Sequence, residues 1–512
     1  MSKTSVDVSH ERSHSEIMII LYALMLAMLL AALDQTIVST ALPKIVQDLH
    51  GLNKLSWVAT SYLLTSAIVT PLYGKISDQI GRKKVFIFAI ILFLFGSALC
   101  GFSQNMDQLV IFRGIQGLGG GGLISLALAV IGDIVPPRQR GKYQGYFGGV
   151  FAISSVLGPL LGGLFTEHIS WRWIFYINLP LGLIALSAIS ARLHLPPNKI
   201  KHKIDYFGSI LMSISLACLL LALTWGGNTY AWGSNQIMSL FAGFTVFTAG
   251  LIFWETKASE PFFPLDLFKR PIFVVSSALS AVAGLTLLGT VIFLPAYQQI
   301  VRGESPISSG LHLLPLVIGI FSMVITGGRL ITKTGRYKIF PIIGTLIAGV
   351  GLWLLSHVTA HTSTLALSSW MFVTGVGIGL FLQVMVLAVQ NSVERERLGT
   401  ATGLVTFFRS IGSSIGTAVF GAFLINRLSV HISEVLPKAD KGLSKAIAGS
   451  GLSGSTANLP IAIKDQIFVA FSRSFHDLFL FALPFVLLGF LLALILEEVP
   501  LRNSVGEKPI AE

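Results

Sequence analysis

The chain has 512 residues, of which 53% are hydrophobic and only 12% charged, and its mean hydropathy is +0.76. Apolar stretches succeed one another, many long enough to cross a hydrocarbon core about 30 Å thick, which excludes a soluble globular domain and points to a polytopic membrane protein. A net charge of +12 and a pI near 9.7 raise nucleic acid as a partner, and the placement of the basic residues decides that point.

The stretch before Ile17 is polar, and the apolar run that follows has no small-residue cleavage site, so it reads as a retained span and not as a signal peptide. Deep inside that run lies Asp34, in Leu33-Asp34-Gln35-Thr36-Ile37-Val38-Ser39-Thr40-Ala41-Leu42-Pro43. An ionised carboxylate at mid-span costs roughly 2.5 to 3.5 kcal/mol, so it needs a reason. One reading is an acid at a span end, reached by water or paired with an arginine; the other is a proton or cation site.

Fourteen apolar runs follow in order, starting near Ile17, Leu55, Val85, Leu109, Tyr143, Trp173, Tyr206, Gln236, Ile272, Gly310, Ile339, Leu365, Thr400 and Leu478. No alternating pattern of a membrane barrel is present, and 51 glycines suit helices packed closely in lipid, so an all-α membrane protein is expected. If the N-terminus is inside, alternate short loops hold Lys75, Arg82, Lys83 and Lys84, then Arg138, Arg140 and Lys142, then Arg192, Lys199, Lys201 and Lys203, then Arg329, Lys333, Arg336 and Lys338. The opposite short loops hold Lys44, Lys54, Arg172, Arg302 and little else. This asymmetry follows the positive-inside rule, puts both termini in the cytoplasm and accounts for the basic balance without nucleic acid. It also sets Asp34 beyond the midpoint of its span, towards the outer side, which removes the cytoplasmic span-end reading.

The segment Gly74-Lys75-Ile76-Ser77-Asp78-Gln79-Ile80-Gly81-Arg82-Lys83 recurs as Gly328-Arg329-Leu330-Ile331-Thr332-Lys333-Thr334-Gly335-Arg336-Tyr337, with Gly, Gly and Arg in register. Two six-helix bundles separated by two inserted helices explain both the repeat and the total. The expected boundaries are a cytoplasmic tail over 1–16, an N-terminal bundle over 17–194, a linker with the inserted pair over 195–270, a C-terminal bundle over 271–498 that includes a long outer loop at 427–473, and a cytoplasmic tail over 499–512.

Four motifs carry the chemistry. Beside the Asp34 segment, Gly74, Asp78, Gly81 and Arg82 combine a tight turn with charges that can lock the cytoplasmic ends of the halves, against the plainer reading of a basic topogenic loop. In Leu109-Val110-Ile111-Phe112-Arg113-Gly114-Ile115-Gln116-Gly117, Arg113 within a membrane helix needs an anion, a carbonyl or water, unless it snorkels to the surface. Ser154-Ser155-Val156-Leu157-Gly158-Pro159-Leu160-Leu161-Gly162-Gly163 joins a proline to small residues, which lets a helix bend and pivot or serves as a packing face.

In this order and spacing the four motifs resemble the major facilitator superfamily and, within it, the fourteen-span drug:proton antiporters, over almost the whole chain. The resemblance implies proton coupling by Asp34 with Arg113 as its partner, a conformational switch at Gly74, Asp78, Gly81 and Arg82, and an antiporter motif at Gly158, Pro159, Gly162 and Gly163. Gln79 stands where the family pattern has a basic residue, which weakens the switch network by one charge. The segment Trp171-Arg172-Trp173-Ile174-Phe175-Tyr176-Ile177-Asn178-Leu179-Pro180 also resembles this group, although its aromatics suit a plain interface anchor.

Weaker candidates for a substrate cavity are Gln35, Gln116, Phe293, Tyr297, Gln298, Gln383, Met385, Gln390 and Arg409, most of which serve equally as helix packing. His312 and His357 read as hydrogen-bonded span-end residues, and Cys100 and Cys218 as packing residues. No Walker loop occurs, because the run Gly119-Gly120-Gly121-Gly122 lacks the lysine, and no metal or nucleophile spacing is found. The expectation is therefore a monomeric, multi-pass protein of the cell membrane, without cofactor, metal or enzymatic activity. It would export lipophilic or monocationic compounds against inward protons by alternating access. An endogenous solute such as a basic amino acid, siderophore or lipid is the alternative cargo, and a non-transporting sensor or scaffold a remote one. With Asp34 nearly solitary, protons and any cationic cargo are expected to compete for one carboxylate.

Overall fold

The computed structural model describes residues 14–49, 55–193, 205–227, 229–258, 264–291, 293–304, 306–359, 362–382, 384–435 and 461–502. These residues are helical almost throughout, with no strand beyond an isolated Gly226–Tyr230 bridge. In lipid a helix satisfies every backbone polar group within its own segment, which is why apolar runs of this length adopt it.

The N-terminal half comprises α1 (His14–Leu49), α2 (Leu55–Ile80), α3 (Arg82–Phe102), α4 (Met106–Ile134), α5 (Pro137–His168), the short α6 (Trp173–Tyr176) and α7 (Asn178–Arg192). The pair α8 (Tyr206–Trp225) and α9 (Asn235–Glu255) comes next. The C-terminal half comprises α10 (Pro271–Val291), α11 (Phe293–Val301), α12 (Pro306–Leu311), α13 (Leu314–Thr334), α14 (Ile339–Ser356), α15 (Thr364–Leu382), α16 (Val384–Ser392), α17 (Leu398–Val435) and α18 (Ile461–Ile495). Twelve helices among the described residues are long and apolar enough to cross a membrane. The 26-residue α2 and the 21-residue α10 are further long helices of the two bundles. Polar residues such as Ser61, Thr65, Ser66 and Thr70 dilute the apolar character of α2, and Thr65 and Thr70 donate to backbone carbonyls of α4.

Each half has its own apolar core. Within the first, α4 is held between α2 and α3 at backbone contact: a side chain at Gly119 would overlap Phe93, and one at Gly121 would overlap the Ser66 carbonyl. The glycine run that lacks a phosphate-loop lysine is thus a close-packing face. The two halves meet where α5 lies along α13 and α2 along α17. The inserted pair sits over that second seam, with Met212, Leu216 and Leu251 packed against Ile68 and Leu72 of α2 and Phe407 and Phe408 of α17.

The segment 427–473, expected as a long outer loop, is helical at both of its ends. Helix α17 runs on to Val435 and α18 starts at Ile461, with 436–460 outside the described residues. Counting from an apolar run at Leu478 misses the preceding turns of α18. There Ile467, Ala470, Phe471 and Phe475 recur at helical spacing and are buried, while the opposite face carries polar residues such as Arg473.

Candidate functional site

Asp34 and Arg113 lie 79 residues apart in sequence and meet inside the N-terminal bundle, where Arg113 Nη1 donates to Asp34 Oδ2 at 2.5 Å. Both are sealed, at 0% and 2% exposure, so the snorkelling reading of Arg113 fails. The neighbours complete the charge pair. Gln116 Nε2 donates to Asp34 Oδ1 at 2.8 Å, and Gln116 Oε1 accepts from Arg113 at 2.7 Å, so one amide bridges acid and base. Asn178 Nδ2 approaches the same carboxylate at 3.4 Å and Ser97 Oγ at 3.0 Å, and Ser97 in turn donates to the Phe175 carbonyl. Arg113 also donates to the Val58 carbonyl at 3.1 Å and stacks 4.3 Å over the Tyr62 ring. Nε and Nη1 of that guanidinium therefore have acceptors and its face lies over a ring, which is how a membrane interior tolerates it.

Asn178 and Ser97 were not legible as site residues. The segment around Asn178 stands out in sequence by its resemblance to the fourteen-span group, which gives Asn178 itself no role, and a lone serine in an apolar helix carries no signal until its partners are known.

The switch residues gather at the end of the bundles that the basic loops assign to the cytoplasm. Gly81, at φ 104°, turns α2 directly into α3. That turn sets Arg82 Nη1 2.7 Å from Asp78 Oδ1, with Arg82 also bonded to Asp133 and to Ser77 Oγ. Asp78 then reaches across to the other half. It accepts from the Gly399 amide at 3.0 Å, the Thr400 amide at 2.6 Å and the Thr400 hydroxyl at 2.7 Å. A carboxylate at the N-terminus of α17 satisfies otherwise orphaned amides and complements the helix dipole. Gly74 allows the approach, since a Cβ there would lie 2.5 Å from the Gly399 carbonyl oxygen.

The repeated segment in the C-terminal half keeps the turn but not the charge. Gly335 has a positive φ of 72°, as Gly81 has one of 104°, whereas Thr332 stands in the place of Asp78, and its carbonyl accepts from Arg138 of the other half at 3.2 Å.

The Gly158, Pro159, Gly162 and Gly163 motif lies on α5 against α1. A Cβ at Gly158 would overlap Thr36, whose hydroxyl donates to the Ser154 carbonyl at 2.9 Å, two residues beyond Asp34. Replacing Gly158 by valine should therefore displace α1, destabilise the protein by about 1–3 kcal/mol as overpacked cores do, and lower efflux; thermal unfolding in detergent and vesicle transport check both effects.

The nine cavity candidates are not gathered in one place. Gln116 belongs to the Asp34 cluster. Gln390 sits where the halves touch, donating to the Leu128 carbonyl and to Thr402. Tyr297, Gln298 and Met385 are fully buried in the C-terminal half, Phe293 packs on its core, Gln35 is exposed, and Gln383 lies outside the described residues. Arg409 does line a cavity between the halves, built from α1, α4 and α5 on one side and α15, α16 and α17 on the other. Asp34 is not among its lining residues. His312 bonds to Glu304, and His357 to the Trp353 carbonyl.

Two helical bundles, a sealed ion pair within one of them and a cavity between them fit a membrane transporter. The family model of the Major Facilitator Superfamily matches residues 24–417, and the chain belongs to that family. It is 40% identical to an uncharacterised MFS-type transporter of Mycobacterium tuberculosis over 95% of this chain and 70% of that one. It is also 39% identical to Multidrug resistance protein 3 of Bacillus subtilis, over 91% of this chain and 93% of that protein. Among solved structures, a double-tryptophan mutant of XylE superposes with a TM-score of 0.61 at 15% identity, covering 96% of this chain and 98% of that one, which shows the shared fold.

Proposed function

We propose that this transporter is a proton-coupled multidrug exporter that works by alternating access in the cell membrane. The observation that carries the reading is Asp34, sealed from solvent and held by Arg113, Gln116 and Asn178 away from the inter-half cavity. In this arrangement the carboxylate accepts hydrogen bonds from every neighbour, which is the geometry of its ionised form. Taking up a proton requires Arg113 to withdraw, and withdrawal requires α1 and α4 to move relative to each other. Met28 on α1 and Ile124 on α4 line the cavity, so the helices that hold the proton site also touch the cargo. Met28 lies six residues before Asp34, about 9 Å along the helix axis. Cargo and proton thus act on one pair of helices from two separate places, and in this conformation they do not compete for one carboxylate.

Asp78 closes the end that the basic loops assign to the cytoplasm, so cargo entry awaits release of that lock. Counting α2 and α10 with the twelve apolar helices gives fourteen spans and returns both termini to the cytoplasm. The transporter acts as a monomer, because the cavity and both charge clusters are complete within one chain. One proton moving through 100 mV supplies about 2.3 kcal/mol for concentrative export. The relative named for multidrug resistance, similar over nearly its whole length, supports drug-like cargo over an endogenous solute.

In vesicles holding the purified protein, an imposed proton gradient should drive outward movement of lipophilic dyes, and dye addition should release protons in the opposite direction. Dye movement that ignores the gradient overturns proton coupling.

A further inference from the structure

Arg409 occupies an unusual position for a charge in a membrane protein. It stands on α17 ten residues beyond Gly399, about 15 Å along the axis from the Asp78 lock and so near mid-membrane. Among the described residues, no hydrogen bond, ion pair or carboxylate engages its guanidinium. The nearby hydroxyls are spent on their own helix, with Thr406 donating to the Thr402 carbonyl and Ser410 to the Thr406 carbonyl. The contrast with Arg113, which has partners on every side, is plain.

What Arg409 does face is the inter-half cavity, whose other walls are apolar: Met28, Ile124, Leu128, Phe147, Leu382 and Val386. No acid contributes to that lining. An uncompensated guanidinium in such a place repels a cationic ligand and leaves five N–H donors in want of an acceptor. Its planar fork matches a carboxylate in two parallel hydrogen bonds, and the apolar walls match a hydrocarbon or aromatic body.

We propose that Arg409 is the recognition point for the anionic head of an amphipathic organic acid that the transporter exports; in this conformation the cavity offers about 50 Å³, room for the head group, and the apolar body enters as the halves part. Of the lipophilic or monocationic cargo expected from sequence, this keeps the lipophilic body and replaces the cationic head by a carboxylate. The proposal rests on the exporter reading above and narrows its cargo class.

The test uses pyrenebutyrate and its uncharged amide, which share one apolar body. Equilibrium binding is followed by pyrene fluorescence on the purified full-length protein, and efflux is followed in vesicles under an imposed proton gradient. The carboxylate should bind at least about 10-fold more tightly than the amide, as expected for hydrogen bonds to a charged group. That preference should vanish in Arg409→Gln and survive in part in Arg409→Lys, which keeps the charge but loses the fork. A proper fold in each variant is checked by its thermal unfolding. Equal affinity for the two probes in the natural protein, or a preference unchanged in Arg409→Gln, overturns the anion site. Binding of the carboxylate without its efflux, while the amide is exported, assigns the site to a resident fatty acid or lipid and overturns the cargo role. Absence of gradient-driven efflux for both probes overturns the exporter reading instead.

Discussion

Asp34→Asn should abolish proton-driven efflux while the protein remains inserted in the membrane. The amide cannot give up or take a proton in the relevant range, and its NH2 group must face either Gln116 Nε2 and Asn178 Nδ2 or Arg113, all of which are donors towards this site. The Arg113 charge is then left buried without its anion. Breaking one side of a buried pair costs about 3–5 kcal/mol, so the single variant should also unfold at a lower temperature. The double variant Asp34→Asn with Arg113→Gln separates the two effects. Removing both charges restores stability, because the desolvation burden goes with them, but does not restore transport. Coupled efflux at the natural rate in Asp34→Asn would falsify the assignment of Asp34 as the proton carrier. Recovery of transport in the double variant would reduce the pair to a structural tie.

Asp78→Ala should open the end that the basic loops assign to the cytoplasm. Three hydrogen bonds from Gly399 and Thr400 to a carboxylate are lost, and Arg82 keeps Asp133 but loses its link to the other half. Hydrogen bonds to charged groups contribute about 1.5–3 kcal/mol each, so even one of them unreplaced shifts the balance between closed and open forms by about 10-fold or more. Spin labels on α2 and α17, measured for distance in the detergent-solubilised protein, should report a wider cytoplasmic gap. Export should slow because the state that releases cargo outward is depleted. Gly74→Ala approaches the same result by steric means, pushing the Gly399 backbone away without removing a charge. A narrow, unchanged distance distribution in both variants would show that closure rests on the rest of the α2–α17 seam.

The pairing of Asp34 with Arg113 was legible because two opposite charges in apolar helices have few ways to be tolerated, and the cheapest is each other. The Asp78 cluster was legible only from one side. Its carboxylate and its glycines stand out in sequence, but its partners across the seam are backbone amides of Gly399 and a threonine, and an amide has no signature in a string of residues. Assigning polar residues to the cargo cavity was less successful for a geometric reason. Gln116, Gln298 and Gln390 all lie in apolar helices, yet which neighbour each helix face meets is set by packing, and the three end up in the proton site, a core and the inter-half contact. The start of α18 was missed because an amphipathic turn interrupts an apolar run without interrupting the helix.

The two copies of the turn motif have drifted in a telling way. Gly81 and Gly335 both have a positive φ, but an aspartate precedes only the first, and Asp34 and Arg113 lie in that same half. The N-terminal half therefore holds both charge clusters and also supplies Met28, Ile124, Leu128, Phe147, Gly148 and Phe151 to the cavity, while the C-terminal half contributes Leu382, Val386 and Arg409. The charge pair and much of the cavity wall thus share α1 and α4. On the proposed reading, substitutions at Leu382 or Val386 should reshape the cavity from one side and leave α1 and α4 as they are, whereas substitutions at Met28 or Ile124 should alter the cavity and the helices of the charge pair together.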